Sequence, residues 1–185
     1  MNGGFSTRVL AVGLIGAALA FSACGERSSG RGTNSETTEV GSPARKTYSQ
    51  ALYAVDVPAA WVRKTDDEPT QDHLESIWRN PTKSASILIE AEVPPLGGPV
   101  AAAKSVRRRV SKSPGYRQLG FEPISLGGRP AARWIFDASG DRQAAYFVDE
   151  CEVRITVRGS TSPADFDSLA ETFRQVASSV SVRCA

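Results

Sequence analysis

His73 is the single histidine of the chain, so any imidazole acid–base chemistry would have to run through it. A Ser-His-Asp hydrolase needs a histidine set as base between nucleophile and acid, and serines and aspartates are plentiful enough here to fit by chance. The Gly-x-Ser-x-Gly elbow that would mark a nucleophile is missing. A hydrolase using His73 therefore ranks third, behind two binding functions, and the chain is expected not to be an enzyme. Three cysteines supply the other reactive groups: Cys24, Cys151 and Cys184. Near the last two the His and Cys partners of a metal site are missing, and Asp66-Asp67-Glu68 lacks the regular ligand spacing of a calcium loop. No metal and no other cofactor is expected.

Cys24 closes an apolar run, Val9 to Phe21, that follows Arg8. The run is too short to span a membrane, which takes roughly 20 apolar residues. A charged flank, an apolar centre and small residues before a cut are the layout of a secretory signal. Phe21-Ser22-Ala23-Cys24 resembles a lipobox, with Phe21 where the usual residue is Leu. That resemblance implies a diacylglyceryl thioether on Cys24 and cleavage before it, so residues 1–23 are the signal peptide. Each buried methylene contributes about 0.8 kcal/mol, and two or three acyl chains hold a protein stably. The expected location is the cell envelope, lipid-anchored on the extracytoplasmic face of the membrane. Ordinary secretion after Ala23 and an uncleaved anchor are the alternatives. With Cys24 lipidated, Cys151 and Cys184 remain as an even pair, which in an exported protein reads as a disulfide. It would close a loop of about 30 residues, worth on the order of 3 kcal/mol. Two free buried thiols or an intermolecular bridge stay open.

Residues 24–46 hold no aromatic residue, and up to Arg45 the only bulky aliphatic is Val40. Such a segment buries too little apolar surface to offset its ordering entropy. It reads as a disordered tether; about 20 residues of this kind span roughly 25 Å. Lys and Arg only slightly exceed Asp and Glu over the whole chain, without the basic excess of a nucleic-acid binder.

The remaining residues, 47–185, make one domain's worth of chain. Tyr53, Val55 and Val57 alternate, as do Ala85 to Ala91, Ala132 to Phe136, Ala144 to Val148 and Cys151 to Val157. Period-two alternation predicts strands with one buried and one more polar face, and Glu152, Arg154, Thr156 and Arg158 supply the polar side of the last of these. Cys184 shares a face with Val180 and Val182 of a short final strand, so if that strand neighbours the Cys151 strand both sulfurs point inward. Leu126-Gly127-Gly128-Arg129 and Ala138-Ser139-Gly140-Asp141 read as hairpin turns. Helical stripes run through Pro99 to Ser113 (Val100, Ala103, Val106, Val110) and Pro163 to Ser178 (Phe166, Leu169, Phe173, Val176), the second with Ser162 as candidate N-cap. The fold class is α+β: a mostly antiparallel sheet packed with two helices, with Trp61, Trp78 and Trp134 in its core.

Lys104, Arg107, Arg108, Arg109 and Lys112 make the first helix basic opposite its valine stripe, with Lys104, Arg108 and Lys112 in one line. That face is a candidate surface for anionic lipid or an acidic partner, and otherwise a solvated helix face. Val93 to Pro99 is a stiff apolar loop.

Tyr53-x-Val55-x-Val57-Pro58 with Trp61 behind it, Trp78-Arg79-Asn80, Ser86-Ile87-Leu88-Ile89, Leu126-Gly127-Gly128-Arg129-Pro130-Ala131, a Tyr-Phe-Val strand and a final Pro-x-x-Phe-x-x-Leu helix follow in order. Over about residues 48 to 183 this series resembles the PsbP-like α/β/α sandwich, and within it the LpqN-type lipoproteins of actinobacteria. That family includes photosystem extrinsic subunits, a nuclear-transport GTPase partner and envelope lipoproteins. What the resemblance implies is protein binding, with no catalytic residue to carry over. The expected function is a non-enzymatic, lipid-anchored envelope protein presenting its domain to another protein or to envelope material. The alternative is a small hydrophobic-ligand binder with a pocket near the Pro94 to Pro99 loop.

Overall fold

The computed structural model describes residues 43–64, 73–93 and 97–184. Cys24, the signal segment and the tether up to Ser42 lie outside them, as do Asp66-Asp67-Glu68. Among these residues ten strands and two helices follow in the order β1 (Arg45–Ser49), β2 (Tyr53–Pro58), β3 (Val62–Lys64), β4 (His73–Arg79), β5 (Ser86–Glu92), α1 (Gly98–Val110), β6 (Arg117–Leu126), β7 (Arg129–Ala138), β8 (Asp141–Glu150), β9 (Val153–Thr161), α2 (Phe166–Ser179) and β10 (Ser181–Val182). Strand β1 opens at Arg45, inside the stretch assigned above to the tether.

Seven strands form one antiparallel sheet in the order β3-β4-β5-β9-β8-β7-β6, and β1-β2-β10 form a second, smaller one. Three successive two-residue turns build the β6-β7-β8-β9 meander. Each has positive φ at both central residues: Gly127 and Gly128, Ser139 and Gly140, Cys151 and Glu152. This is the turn whose twist suits a tight hairpin. Alternation then sends successive side chains to opposite faces, and both faces are used. On one, Tyr53, Trp78, Ile87, Ile89, Tyr146, Val157, Phe173 and their neighbours form the larger core, which also takes in β2 and α2. On the other, α1 packs on β7 and β8 over Ala132, Trp134, Phe136, Ala145 and Phe147.

Two expectations are corrected here. Cys151 sits in the β8–β9 turn rather than on a strand, and the final strand pairs with β2 rather than with β9. Cys151 and Cys184 are nonetheless bonded, with Cα atoms 5.4 Å apart, and both are exposed at the surface rather than turned inward. No glycine or asparagine marks that turn, and the alternation runs through it unbroken. The second helix begins at Phe166, later than its periodicity suggests, because Ser162 and Asp165 first close a turn in which the Asp165 N–H donates to Ser162 Oγ at 3.2 Å.

Edge strands are protected. β3 is short, and β6 carries a bulge between Gln118 and Gly120 and a proline at 123. Both devices discourage pairing with another chain.

Candidate functional site

Ala102 and Ala103 are the buried residues of α1, in one cluster with Ala132, Trp134, Phe136, Ala145 and Phe147 of the sheet. Trp134 and Phe136 stack with centroids 3.8 Å apart, and Tyr116 leans on both at 6.3 and 6.2 Å. Val106 and Val110 meet that stack from above. In register, Trp134 lies opposite Ala145, and Ala145 opposite Arg158. One alanine between two long side chains leaves a gap.

The gap is a cavity of about 220 Å³ between the C-terminal half of α1 and the sheet. Val106, Val110, Trp134, Phe136 and Phe147 form its apolar walls. Glu90, Glu92, Thr156 and Arg158 on β5 and β9, with Arg109 on α1, form the polar remainder. The indole Nε1–H of Trp134 is buried without a hydrogen-bond partner, in a side chain only 1% exposed. Beyond the cavity the same sheet face stays partly open. Ile77, Leu88 and Glu90 are half-buried, Glu75 is exposed, and a shallow depression of about 270 Å³ continues from Arg158 over Leu88 and Ile77.

One rung along, Arg154 and Asp149 pair through two hydrogen bonds of 2.8 Å. Arg154 is 1% exposed, so the face expected to be polar and open is covered at this point, and the guanidinium is tolerated because its charge is matched. Removing either partner would strand the other.

The structure places the five basic residues of the sequence reading as follows. Lys104 and Arg108 are exposed, as is Lys112 beyond the helix end. Arg107 turns to β6, lying 5.1 Å over the Phe121 ring and donating to Gln118 at 3.0 Å. Arg109 is exposed as well and lines the mouth of the cavity. All three arginines sit in the last turn of α1, where cations suit the helix dipole.

His73 begins β4, opposite Glu92 on β5, and its side chain lies outside the described ones. Among the described residues no group of His, Cys, Asp and Glu could hold a metal ion. Among them, too, no helix is long and apolar enough to cross a membrane. On the other side of the molecule, burial pushes the Tyr146 phenol up in pKa, which keeps it neutral beneath α2. A wider, open groove of about 430 Å³ lies there too, between Pro43, Pro58, Trp61, Pro81 and Leu169.

The cyanobacterial PsbP protein CyanoP of Synechocystis sp. PCC 6803 superposes over 82% of this chain and 100% of its own, with a TM-score of 0.59 at 18% identity. The fold is PsbP-like. A Pseudomonas aeruginosa protein of unknown function covers 76% of the chain and 99% of itself, with TM-score 0.52 and 18% identity. LpqN of Mycobacterium tuberculosis, described as involved in cell envelope biogenesis, covers 75% and 90%, with TM-score 0.50 and 11% identity. At these identities the likeness is one of fold. No protein-family model matches the chain, and no curated sequence is significantly similar to it.

Proposed function

We propose that this PsbP-like domain is a non-enzymatic binding module, held on the extracytoplasmic face of the membrane through Cys24, that takes a partner protein in the cleft beside α1. The observation that carries this reading is the cavity at the seam between α1 and the partly open half of the sheet. Its volume of about 220 Å³ is below the roughly 300–1,000 Å³ of sites that enclose a whole small ligand. It suits one inserted side chain, the way a partner's anchor residue fills a desolvated pocket at the centre of an interface. The half-buried strands beside it supply the surrounding contact area.

A photocrosslinking amino acid in place of Arg109, in the full-length protein within its own envelope, is expected to give a discrete adduct. The same group in place of Arg174, exposed on α2 at the opposite face, is expected to give none. Equal labelling from both positions, or none from position 109, would sink the reading. The anchor is tested separately: Cys24→Ala should move the protein from the detergent phase to the aqueous phase.

A second reading, a small hydrophobic-ligand binder, is favoured by the open groove around Trp61 and Leu169. The pocket expected from the sequence lay between sheet and helices near the Pro94 to Pro99 loop, of which residues 94–96 are outside the described ones; this groove is lined by Pro43, Pro58, Trp61, Pro81 and Leu169. An apolar dye displaced by envelope lipid extract, and lost on Leu169→Glu, would support it.

A further inference from the structure

We propose that a notch between the β4–β5 turn and the start of β8 binds a sugar phosphate. This goes beyond the partner reading and does not depend on it. One rung of the sheet makes the floor: Arg79, Ser86, Ser160 and Gln143 stand side by side on β4, β5, β9 and β8. Period two puts them on one face with Ile77, Leu88 and Arg158 of a neighbouring rung. Lys83 and Ser84 line the notch from the turn, and Asp141 lines it from β8. Its volume is about 470 Å³, and it shares Arg79, Ser86 and Ser160 with the depression over Leu88 and Ile77. Unlike the α1 cavity, it falls within the roughly 300–1,000 Å³ of sites for a whole small molecule.

The charges select an anion. Elsewhere on the sheet Arg129, Arg142 and Arg154 each hold a carboxylate. Arg79 and Arg158 hold none among the described residues, and with Lys83 they set three cations against the carboxylate of Asp141 along the two depressions. A phosphate monoester carries about −1.5 to −2 charges at pH 7, which matches that excess of two. Guanidinium forks bind phosphate oxygens in pairs. The remaining groups select a polyol. The hydroxyls of Ser84, Ser86 and Ser160 and the Gln143 amide each donate and accept. Asn80 Oδ1 already accepts from Thr82 at 2.9 Å, which leaves its amide N–H groups to donate. Asp141 accepts from Ser160 Oγ at 2.8 Å through one oxygen, and its other oxygen is left for a ligand hydroxyl. Ala85 is the one apolar residue among the described ones lining the notch, so an acyl chain or aromatic ring gains little there. An acidic peptide would satisfy the cations but meet Asp141 as a like charge and leave the hydroxyls to water.

The test is calorimetric titration of the full-length protein in detergent, at low salt, with glucose-6-phosphate, glucose and inorganic phosphate. The expected result is saturable binding of glucose-6-phosphate, at least about tenfold tighter than glucose or phosphate alone. Arg79→Gln should weaken it by about ten- to a hundredfold, the range of one hydrogen bond to a charged group. Arg79 is exposed, so the variant keeps the core intact. Arg108→Gln removes an equally exposed charge from α1 and should change nothing. Absence of saturable binding would overturn the proposal, as would equal losses in the two variants. Glucose binding as tightly as its phosphate would show that the cations read nothing, and inorganic phosphate doing so would show that the hydroxyls read nothing; either outcome overturns it. So would an oligoglutamate peptide that binds as tightly as glucose-6-phosphate, which would make the notch a site for acidic chains. Crosslinking from position 109 is read separately, so the partner module and this site fail independently.

Discussion

Gly159, near the end of β9, faces the ring of Phe173 on α2 so closely that a Cβ built there overlaps its Cγ, Cδ1 and Cδ2 atoms. The position has no special φ, so the substitution Gly159→Ala tests packing alone. Phe173 cannot simply rotate away. It is fully buried, with Trp61 6.5 Å and Phe166 6.2 Å from its centroid. Either the ring leaves its rotamer or α2 lifts from the sheet, and overpacking of this kind costs about 1–3 kcal/mol. Truncating the ring itself, Phe173→Ala, should cost about 3–5 kcal/mol through the cavity it leaves. The informative variant is the pair Gly159→Ala with Phe173→Leu. The smaller side chain makes room for the new methyl, so the double change should cost at least about 1 kcal/mol less than the sum of the singles. Urea unfolding measures all of these as midpoint shifts at constant slope. Gly120→Ala is the control: its Cβ would meet only Ile135, at 4.0 Å, so the change should be close to neutral. A Gly159→Ala protein within about 0.5 kcal/mol of wild type, or strict additivity in the pair, would refute the claim that contact between α2 and the sheet is this tight.

Three further outcomes are expected. Replacing both Cys151 and Cys184 by Ser frees a loop of 33 residues, which chain entropy values at about 3.7 kcal/mol; a loss below about 1 kcal/mol by urea titration would mean that the reduced chain keeps that loop ordered. Glu152→Gly relieves a non-glycine residue at φ 62°, a conformation costing roughly 1–2 kcal/mol against the 0.5–1 kcal/mol that glycine loses in entropy, so thermal unfolding should shift upward slightly, and a downward shift would contradict the turn assignment. Asp137 accepts hydrogen bonds from Arg142 and Arg117, and these hold its carboxyl below the usual aspartate range. Its contribution is therefore present above the ordinary aspartate pKa and lost as pH falls through its own lower value. Asp137→Asn should reduce stability at neutral pH and flatten the acid limb below roughly pH 4; an unchanged limb would assign it to other carboxylates.

The strands with strict alternation, such as Tyr53 to Val57 and Ala85 to Ala91, were legible because period two is a local property. Strand β6 was not. Gly120 and Pro123 break its pattern, and an edge strand tolerates both because one side of its ladder is unpaired. The turn at Cys151-Glu152 hid for the opposite reason, since alternation ran straight through it. The candidate cavity left only its walls in the sequence. Trp134 and the basic residues of α1 could be picked out, but the gap depends on which residues on neighbouring strands face one another. That Ala145 stands between Trp134 and Arg158 is a fact of register, three strands wide. Arg154 looked like a solvent-facing charge because its partner, Asp149, lies across a hairpin and its cover comes from the fold.

The sheet keeps two cores apart, and this makes the molecule unusually free to change on one side. The larger core, with α2 and the cross-link between the β8–β9 turn and the chain end, carries most of the buried bulk. The smaller one under α1 shares the strands of the sheet but is assembled from other side chains. Substitutions around the cavity therefore draw on a small, separate part of the fold's stability, and their effects should combine additively with changes beneath α2. A lineage could redraw the pocket, or let α1 open locally, while the opposite face goes on folding as before.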